Sequence, residues 1–172
     1  MAFDFLTGGA RSGKSRAAEQ IATAAGGPVI FVATAEAGDA EMAERIRRHR
    51  SSRPRDWETV EEHRDLAGIV HTLPDDRFLI VDCLTLWLAN VSDRGDEAIL
   101  ADADRMARAL AERPGRGVVV SNEVGDGIVP ADPATRRYRD LLGTVNRLMA
   151  DRAERAFLMV AGRALRLERP PW

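Results

Sequence analysis

Gly8-Gly9-Ala10-Arg11-Ser12-Gly13-Lys14-Ser15 is the segment from which the architecture of the chain can be worked out. It matches the pattern G-x-x-x-x-G-K-[ST] of a phosphate-binding loop, or P-loop, at every fixed position. The apolar run Phe3 to Thr7 precedes it, and an alanine-rich segment, Ser15 to Ala25, follows it and stops at two glycines. A strand, a glycine-rich loop and a helix in this order predict a P-loop nucleotide-binding domain.

The residue types of the loop suit a nucleoside triphosphate. Gly8, Gly9 and Gly13 let the backbone fold tightly, so that successive N–H groups turn toward phosphate oxygens. Lys14 supplies a point charge for the β- and γ-phosphates, and the Ser15 hydroxyl is placed to ligate Mg²⁺. The helix N-terminus adds the positive end of its dipole. We predict that all of residues 8–15 bind the nucleotide, with Lys14 catalytic.

Beyond the loop, short apolar runs alternate with segments of helical spacing. Apolar runs at residues 29–33, 78–81, 117–121 and 156–160 predict further buried strands. Helices are predicted after Asp39, over 66–73, over 99–110, and from Asp132-Pro133 through Leu148. The tail, Phe157 to Glu168 with a turn near Gly162-Arg163, predicts a hairpin. We expect one α/β domain over residues 1–172, of P-loop NTPase type, with a mainly parallel central sheet flanked by helices and a C-terminal antiparallel hairpin.

Composition argues against several classes of function. The formal net charge of −2 gives no general attraction to nucleic acid or an anionic membrane, so an anion site has to be local. Cys83 is the only cysteine, which excludes an internal disulfide and a cysteine-built zinc site. No apolar stretch approaches the roughly 20 residues that a membrane helix needs, and no signal-like segment follows Met1. We expect a cytoplasmic protein with no nucleic-acid partner and no transmembrane segment.

An acidic residue that follows a buried strand is the usual partner of a P-loop. Phe78-Leu79-Ile80-Val81-Asp82 has this arrangement, and ligands bind at the carboxyl edge of a parallel sheet. In a functional role, Asp82 holds Mg²⁺ directly or through water. In a structural role, it caps the apolar helix that begins near Leu84. We favour the functional role and predict Mg²⁺ as cofactor, with Ser15 and Asp82 as its protein ligands.

Basic residues cluster between positions 45 and 55, namely Arg45, Arg47, Arg48, His49, Arg50, Arg53 and Arg55. The cluster suits a solvated helix face, a nucleic-acid patch, or a second triphosphate site in which arginines neutralise phosphates. The nucleic-acid interpretation is weak because no aromatic residues interleave with the arginines. The guanidinium groups favour a neutral, nucleophilic His49, which can attack an α-phosphate while pyrophosphate leaves. His63 lies in a charged run and is expected to be exposed.

Further motifs extend over nearly the whole chain. They are Ala33-Thr34-Ala35, Arg45-Ile46-Arg47-Arg48-His49, Arg53-Pro54, Trp57-Glu58-Thr59-Val60-Glu61, Asp82-Cys83-Leu84-Thr85-Leu86-Trp87 and Ser121-Asn122-Glu123-Val124-Gly125-Asp126-Gly127-Ile128-Val129-Pro130. Together with the segment Thr7 to Ser15, they make the sequence resemble the bifunctional adenosylcobinamide kinase / adenosylcobinamide-phosphate guanylyltransferase family of cobalamin biosynthesis. The P-loop alone indicates only a superfamily, whereas the combination is specific to this family.

The resemblance implies two reactions. The terminal phosphate of ATP or GTP goes to the aminopropanol hydroxyl of adenosylcobinamide. GTP then guanylylates a histidine, which passes GMP to adenosylcobinamide phosphate to give adenosylcobinamide-GDP. By motif match this histidine is His49; some members have two adjacent histidines here, and this chain has Arg48-His49.

The resemblance also implies nucleotide-binding positions beyond the P-loop. These are Ala33, Thr34, Ala35, Arg50, Ser51, Ser52, Arg53, Glu61 and Asp82. Asp82 stands where some relatives have Glu, which leaves the geometry of its contact open. The same resemblance implies a homotrimer.

Two alternatives differ from the bifunctional enzyme. One is a P-loop kinase in which His49 is structural, and the other is a non-catalytic P-loop regulatory protein. Covalent labelling by GTP separates the first, and dependence on a corrinoid acceptor separates the second. Asn122 and Glu123 follow the fourth predicted strand and either help to bind the acceptor or order a turn that ends in Gly125 and Gly127.

Overall fold

The structure is a computed structural model that describes residues 3–51 and 53–172. Its strands are β1 (Phe3–Gly8), β2 (Val29–Ala33), β3 (Glu58–Glu61), β4 (Phe78–Asp82), β5 (Gly117–Val120), β6 (Arg155–Val160) and β7 (Arg163–Leu167). Its helices are α1 (Lys14–Ala25), α2 (Ala40–Ser51), α3 (Leu66–Thr72), α4 (Leu84–Asn90), α5 (Asp96–Glu112) and α6 (Pro133–Arg152). Helices and strands alternate along most of the chain, as the apolar runs predicted.

One sheet contains all of these strands, in the order β3-β2-β4-β5-β1-β6-β7. Every pairing is parallel except β6 with β7, which form the antiparallel hairpin at the C-terminal end. The predicted α/β architecture with a mainly parallel sheet is therefore confirmed. Because parallel strands share an orientation, the residues after β1, β2, β4 and β5 all emerge at one edge of the sheet.

Alternate residues of the strands supply the two hydrophobic layers. Ile30 and Val32 point to the larger layer, which includes α3, α4, α5 and α6. Phe31 and Ala33 point to the smaller layer, which includes Ala18 and other residues of α1. Burial of a Val, Leu, Ile or Phe side chain contributes about 1.5–3 kcal/mol to the stability of the fold. Both layers therefore stabilise the sheet and fix the position of the edge at which its parallel strands end.

Three predicted helix starts are confirmed in detail. Asp39 accepts a hydrogen bond of 2.7 Å from the Met42 N–H, which caps α2. Asp132 accepts one of 2.8 Å from the Thr135 N–H, and proline occupies the first turn of α6. The third helix, α1, begins at Lys14, one residue before the prediction. None of the described helices combines the length and apolar composition that a membrane span requires.

Strand β3 has no counterpart among the predicted elements. Within the described residues it pairs only with β2, with Ile30 opposite Glu58 and Ala33 opposite Glu61, and its residues are exposed or half-buried. An edge strand of four residues needs no continuous apolar run, because only part of it touches the core. A search for apolar runs, which identifies buried strands, therefore does not predict β3.

Candidate active site

The P-loop is held tightly between β1 and α1. Gly8 has φ 146°, and a Cβ there would lie 2.3 Å from the Met159 carbonyl oxygen. Gly13 has φ 98°, and its Cβ would lie 3.2 Å from the Gly162 Cα. The Gly162 N–H donates to the Ser12 carbonyl at 2.9 Å. The turn of the C-terminal hairpin thus packs directly on the loop. A side chain at Gly8 would collide with backbone, and one at Gly13 would be strained by its positive φ and by close contact with Gly162.

Lys14 lies inside the loop and is only 7% exposed. Its ammonium donates to the carbonyl oxygens of Gly8 at 2.8 Å and Gly9 at 2.7 Å, and to the Ser12 Oγ at 3.4 Å. Burial lowers the pKa of Lys14 from its ordinary value, and the negative charge of Asp82 counteracts part of this effect. The loop itself therefore positions the cation predicted to meet the phosphates.

Asp82 ends β4, where it pairs with Ala33 of β2 and Val120 of β5. The residue at the N-cap of α4 is Cys83, reached through a cis peptide bond, and no described side chain caps this helix. A helix-capping role for Asp82 is therefore wrong. Its carboxylate stands instead at the sheet edge that faces the P-loop, where it borders the same cleft as Lys14.

Two open clefts meet at this edge. The phosphate cleft, of about 390 Å³, is lined by Ala10, Arg11, Ser12, Gly13, Lys14, Ser15, Arg16, His49, Asp82, Cys83, Val120 and Asn122. The α2 cleft, of about 90 Å³, is lined by Ser15, Ala33, Ala35, Met42, Ile46, His49, Arg53, Asp82, Cys83 and Leu86. Ser15, His49, Asp82 and Cys83 border both. The fold therefore places His49 in the lining of the same cleft as Lys14, although the two residues are 35 positions apart in the sequence.

Several predicted positions lie beside the clefts rather than in their lining. Among the residues described, these are Gly8, Gly9, Thr34, Arg50, Ser51 and Glu61. Thr34 is fully buried; its hydroxyl donates to the Cys83 carbonyl at 2.7 Å and accepts from the Cys83 N–H at 2.8 Å. This side chain joins β2 to the residue after Asp82, which is a structural role. Ser52 lies outside the described residues.

Arg53, in the basic segment between residues 45 and 55, has a partly buried guanidinium group. Its guanidinium carbon lies 3.4 Å from the centre of the Phe31 ring, and its Nη1 donates to the Thr59 Oγ1 at 3.4 Å. Its Nε is buried and has no partner among the described residues. Burial lowers the pKa of Arg53, while Asp82 and Glu19 act in the opposite direction. The side chain therefore presents a desolvated cation at the α2 cleft.

Arg47, Arg48 and Arg50 of α2 lie outside the lining of both clefts. Arg47 and Arg48 pair with Glu44 one turn earlier on the helix, and both are about three-quarters exposed. Arg50 pairs with Glu61 at 3.4 Å, so these two predicted nucleotide-binding residues contact each other. The solvated-face interpretation thus holds for Arg47 and Arg48, and the cleft side of the segment includes His49 and Arg53.

Sequence reasoning missed Cys83, Leu86 and Glu19 as neighbours of the site. Burial raises the pKa of the Cys83 thiol to about 11, so the thiol is protonated near neutral pH. Glu19 follows Ser15 by four residues, which places both on one face of α1. Burial raises the pKa of Glu19, and the charges of Arg53 and His49 oppose that shift. The spacing from Ser15 was the one signal that could have identified Glu19.

The expectation that His63 is exposed is wrong. Its ring is half-buried, and Nδ1 lies 3.2 Å from the Thr34 carbonyl oxygen. Asn90 donates from Nδ2 to the same oxygen at 2.8 Å and to the His63 carbonyl at 3.2 Å. These contacts fix the segment after β2 against α4.

The oxygen donors of the site suit a magnesium–nucleotide complex. The Ser15 hydroxyl and the Asp82 carboxylate border the same two clefts, and both are hard oxygen ligands. The described residues contain no group of three or more His, Cys, Asp or Glu side chains that could hold a metal ion by themselves. Mg²⁺ needs no such group, because it is usually held by one or two protein ligands together with substrate phosphates and water.

The sheet, the P-loop and its acidic partner define a P-loop nucleotide-binding protein. Two solved structures share the fold. The first is an ATPase domain that is 12% identical to this chain, with a TM-score of 0.51. The match covers 91% of this chain and 68% of that one. The Pyrococcus horikoshii OT3 protein PH0250 is 8% identical with a TM-score of 0.58, covering 96% and 85%.

A family model described as cobinamide kinase / cobinamide phosphate guanyltransferase matches residues 4–167. The bifunctional adenosylcobalamin biosynthesis protein CobP of Pseudomonas aeruginosa is 44% identical over 170 residues, with 98% of both chains covered. The proteins called CobU from Escherichia coli and Salmonella typhimurium are 35% and 36% identical, over 95% of this chain and 98% of each relative.

The chain therefore belongs to the cobinamide kinase / cobinamide phosphate guanyltransferase family. The resemblance inferred from the motifs is confirmed, and so is the class of enzyme that it implied, a kinase joined to a guanylyltransferase.

Proposed function

We propose that the chain phosphorylates adenosylcobinamide with ATP or GTP and then transfers GMP from GTP to the product, and that both reactions use one composite site. The observation that carries this proposal is the position of His49, which borders the phosphate cleft together with Lys14, Ser15 and Asp82. A kinase alone has no need of a histidine there. Two reactions that bind a triphosphate in turn, one cleaved at the γ-phosphate and the other at the α-phosphate, explain both groups.

In the kinase step, the aminopropanol hydroxyl oxygen attacks the γ-phosphorus and the bond to the β–γ bridging oxygen breaks. A nucleoside diphosphate leaves, and the hydroxyl proton passes to solvent. Lys14 stabilises the charge on the phosphoryl oxygens, for which the loop has already placed it. Ser15 and Asp82 would hold Mg²⁺, which would supply further charge neutralisation when bound.

In the guanylyl step, an imidazole nitrogen of His49 attacks the α-phosphorus of GTP, and pyrophosphate leaves. A phosphate oxygen of adenosylcobinamide phosphate then attacks the same phosphorus and releases the imidazole. The product is adenosylcobinamide-GDP. Arg53, enclosed between Phe31 and the α2 cleft, supports binding of the anionic substrate beside His49.

The remaining residue roles complete the proposal. Residues 8–15 and the segments 33–35 and 50–53, with Glu61 and Asp82, bind nucleotide, and one domain over residues 1–172 carries both activities. Thr34 acts by fixing the backbone after β2 rather than as a direct ligand. A homotrimer remains a prediction that sedimentation tests.

Covalent labelling tests the central step. Incubation with GTP labelled at the α-phosphate should give a labelled protein band that is stable in alkali and lost in acid, as expected for a phosphoramidate. His49→Ala should abolish the labelling and guanylyl transfer while kinase activity stays largely intact. His71→Ala is the matched control, because His71 is an exposed histidine of α3 outside both clefts.

Normal labelling of a folded His49→Ala protein would disprove the assignment of the nucleophile. Labelling of neither the wild-type protein nor the His71→Ala variant, with kinase activity retained, would favour a kinase alone. Nucleotide hydrolysis that is indifferent to any corrinoid acceptor would favour the regulatory alternative.

A further inference from the structure

The segment between β5 and α6 has two fixed ends. At its start, the Asn122 N–H donates to the Thr85 Oγ1 at 3.0 Å, and the Asn122 carbonyl accepts from the Asn146 Nδ2 at 2.9 Å. At its end, Arg136 donates from Nη1 to the carbonyls of Pro130 at 2.8 Å and Ala131 at 2.6 Å. The backbone is therefore anchored on both sides of residues 124–129.

Residues 124–129, which we call the apolar lip, expose three aliphatic side chains. Val124 is 38% exposed, Val129 is 61% exposed and Ile128 is 97% exposed. Single exposed apolar residues are ordinary on protein surfaces, but several on one anchored loop beside a cleft indicate a surface that binds something.

The lip lies next to the proposed site of phosphoryl transfer. The Glu123 N–H donates to the carbonyl of Gly8, the first residue of the P-loop, at 3.0 Å. Asn122 itself lines the phosphate cleft. The Gly8 carbonyl also accepts from the Lys14 ammonium, so the stem of the lip and the catalytic cation meet at one backbone group.

Another exposed apolar group lies on the C-terminal hairpin. It consists of Val160, Leu165 and Leu167, which are 60%, 62% and 40% exposed. Among the described residues, the lining of the phosphate cleft includes Asp82 of β4 and Val120 of β5 but none from β6 or β7. No residue of the lip is in that lining either. The lip joins the cleft through Asn122, two residues before it, whereas the hairpin contacts the P-loop through the Gly162 N–H.

We propose that the apolar lip, residues 124–129, is the docking surface for the corrinoid acceptor; this rests on the proposed function. A corrin macrocycle is wide and carries methyl groups between the amide side chains of its rim, so part of its surface can pack on exposed aliphatic side chains. Docked on the lip, it can send its aminopropanol arm past Asn122 toward the γ-phosphate. The same placement serves the second reaction, since His49 borders the cleft that the arm enters. Binding of the macrocycle removes Val129 and Ile128 from water, which favours the complex.

Acceptor kinetics test the lip. Val129→Ser and Ile128→Ser should each raise the KM for cobinamide in the kinase step about tenfold, or about 1.4 kcal/mol, with little change in kcat or in the KM for nucleotide. The KM for cobinamide phosphate should rise in parallel in the transferase step. Leu165→Ser is the matched control, since its exposed fraction of 62% is close to the 61% of Val129. Labelling by α-labelled GTP, which needs no corrinoid, should be unchanged in all three variants.

The outcomes separate failure of the lip from failure of the proposed function. An unchanged acceptor KM in proteins that label normally overturns the docking surface and leaves the two activities standing. A loss of oligomeric state on sedimentation, with unchanged acceptor KM, assigns the lip to a second copy of the chain and also overturns the proposal. Absence of labelling and of cobinamide phosphorylation in the wild-type protein removes the proposed function itself.

Discussion

The P-loop and helix α2 supply the two halves of the candidate site, and they differ in how tightly the rest of the protein packs against them. The P-loop is packed on both sides: Lys14 and Ser12 are 7% and 8% exposed, and the hairpin turn bonds to the loop backbone. Most of the described side chains of helix α2 are exposed, and its described ion pairs, with Glu44 and Glu61, lie at the surface. Surface ion pairs contribute only about 0–1 kcal/mol each, so they fix a helix weakly.

This difference matches the demands of the two proposed reactions. The phosphates need a cradle that is formed before they bind, because reorganisation during the reaction would cost rate. The histidine has to reach an α-phosphate, carry GMP and meet a second substrate, which a lightly held helix permits. The comparison predicts that changes in the P-loop affect folding and both activities, whereas changes on α2 away from the clefts affect neither.

Two glycine substitutions test this difference in packing, and they should show the largest contrast in the free energy of unfolding. In Gly8→Ala, the new Cβ meets a backbone oxygen at 2.3 Å at a φ of 146°, so we expect the free energy of unfolding to fall by about 2–5 kcal/mol. Gly38, just before α2, has no described atom within 4 Å of its Cβ position and no left-handed φ. Gly38→Ala should therefore change that free energy by less than about 1 kcal/mol. Urea denaturation measures both values.

Equal free energies of unfolding for the two variants would contradict the conclusion that the P-loop is packed more tightly than α2. A large loss in Gly38→Ala alone would reverse it, and would mean that α2 is held more tightly than its surface ion pairs suggest.

A pair of cation deletions tests the chemical side. Lys14→Ala should lower the kinase rate by about 10²-fold or more, about 2.7 kcal/mol, because the transition-state charge loses its preplaced partner. Self-guanylylation should fall as well, since we propose that one loop holds the triphosphate in both reactions. Arg47→Ala removes an exposed cation of α2 and should leave both activities within about twofold.

The lysine content of the chain provides a control for the Lys14→Ala experiment. Lys14 is its only lysine, so an amine-specific reagent reports on the P-loop and the N-terminus alone. Protection of this lysine by nucleotide in the wild-type protein would confirm that the loop is occupied during the assay. Full kinase activity in a folded Lys14→Ala protein would contradict the P-loop assignment.

The same contrast explains what the sequence could predict. The P-loop, the Asp132 cap and the C-terminal hairpin are local patterns, and each was located within a residue or two. Strand β3 escaped because a half-exposed edge strand lacks an apolar run. The contact of His63 with the Thr34 carbonyl depends on the approach of two segments that are distant in sequence. The presence of His49 and Lys14 in one cleft likewise depends on tertiary structure, and only the family resemblance implied a shared site before the fold was known.

Asp82 lies where the two halves of the site meet, and its substitution should give the smallest of these effects. Asp82→Asn keeps the size of the side chain and removes its charge. Because Asp82 caps no described helix, we expect the free energy of unfolding to change by less than about 0.5 kcal/mol. Both activities should fall by about tenfold, since a neutral amide is a poor ligand for a hard cation. Asp140→Asn, an exposed change on α6, is the matched control and should leave both unaffected.

The dependence on Mg²⁺ shows whether this loss has the proposed cause. If Asp82 helps to hold the metal with Ser15, the Asp82→Asn protein should need a higher Mg²⁺ concentration for half-maximal rate and recover part of its activity when Mg²⁺ is raised. The P-loop would then still bind nucleotide, because its own groups are untouched. A loss of activity with an unchanged Mg²⁺ requirement would place Asp82 against the nucleotide or His49 instead. Unchanged activity would remove Asp82 from the site and leave the P-loop and α2 without a shared acidic group.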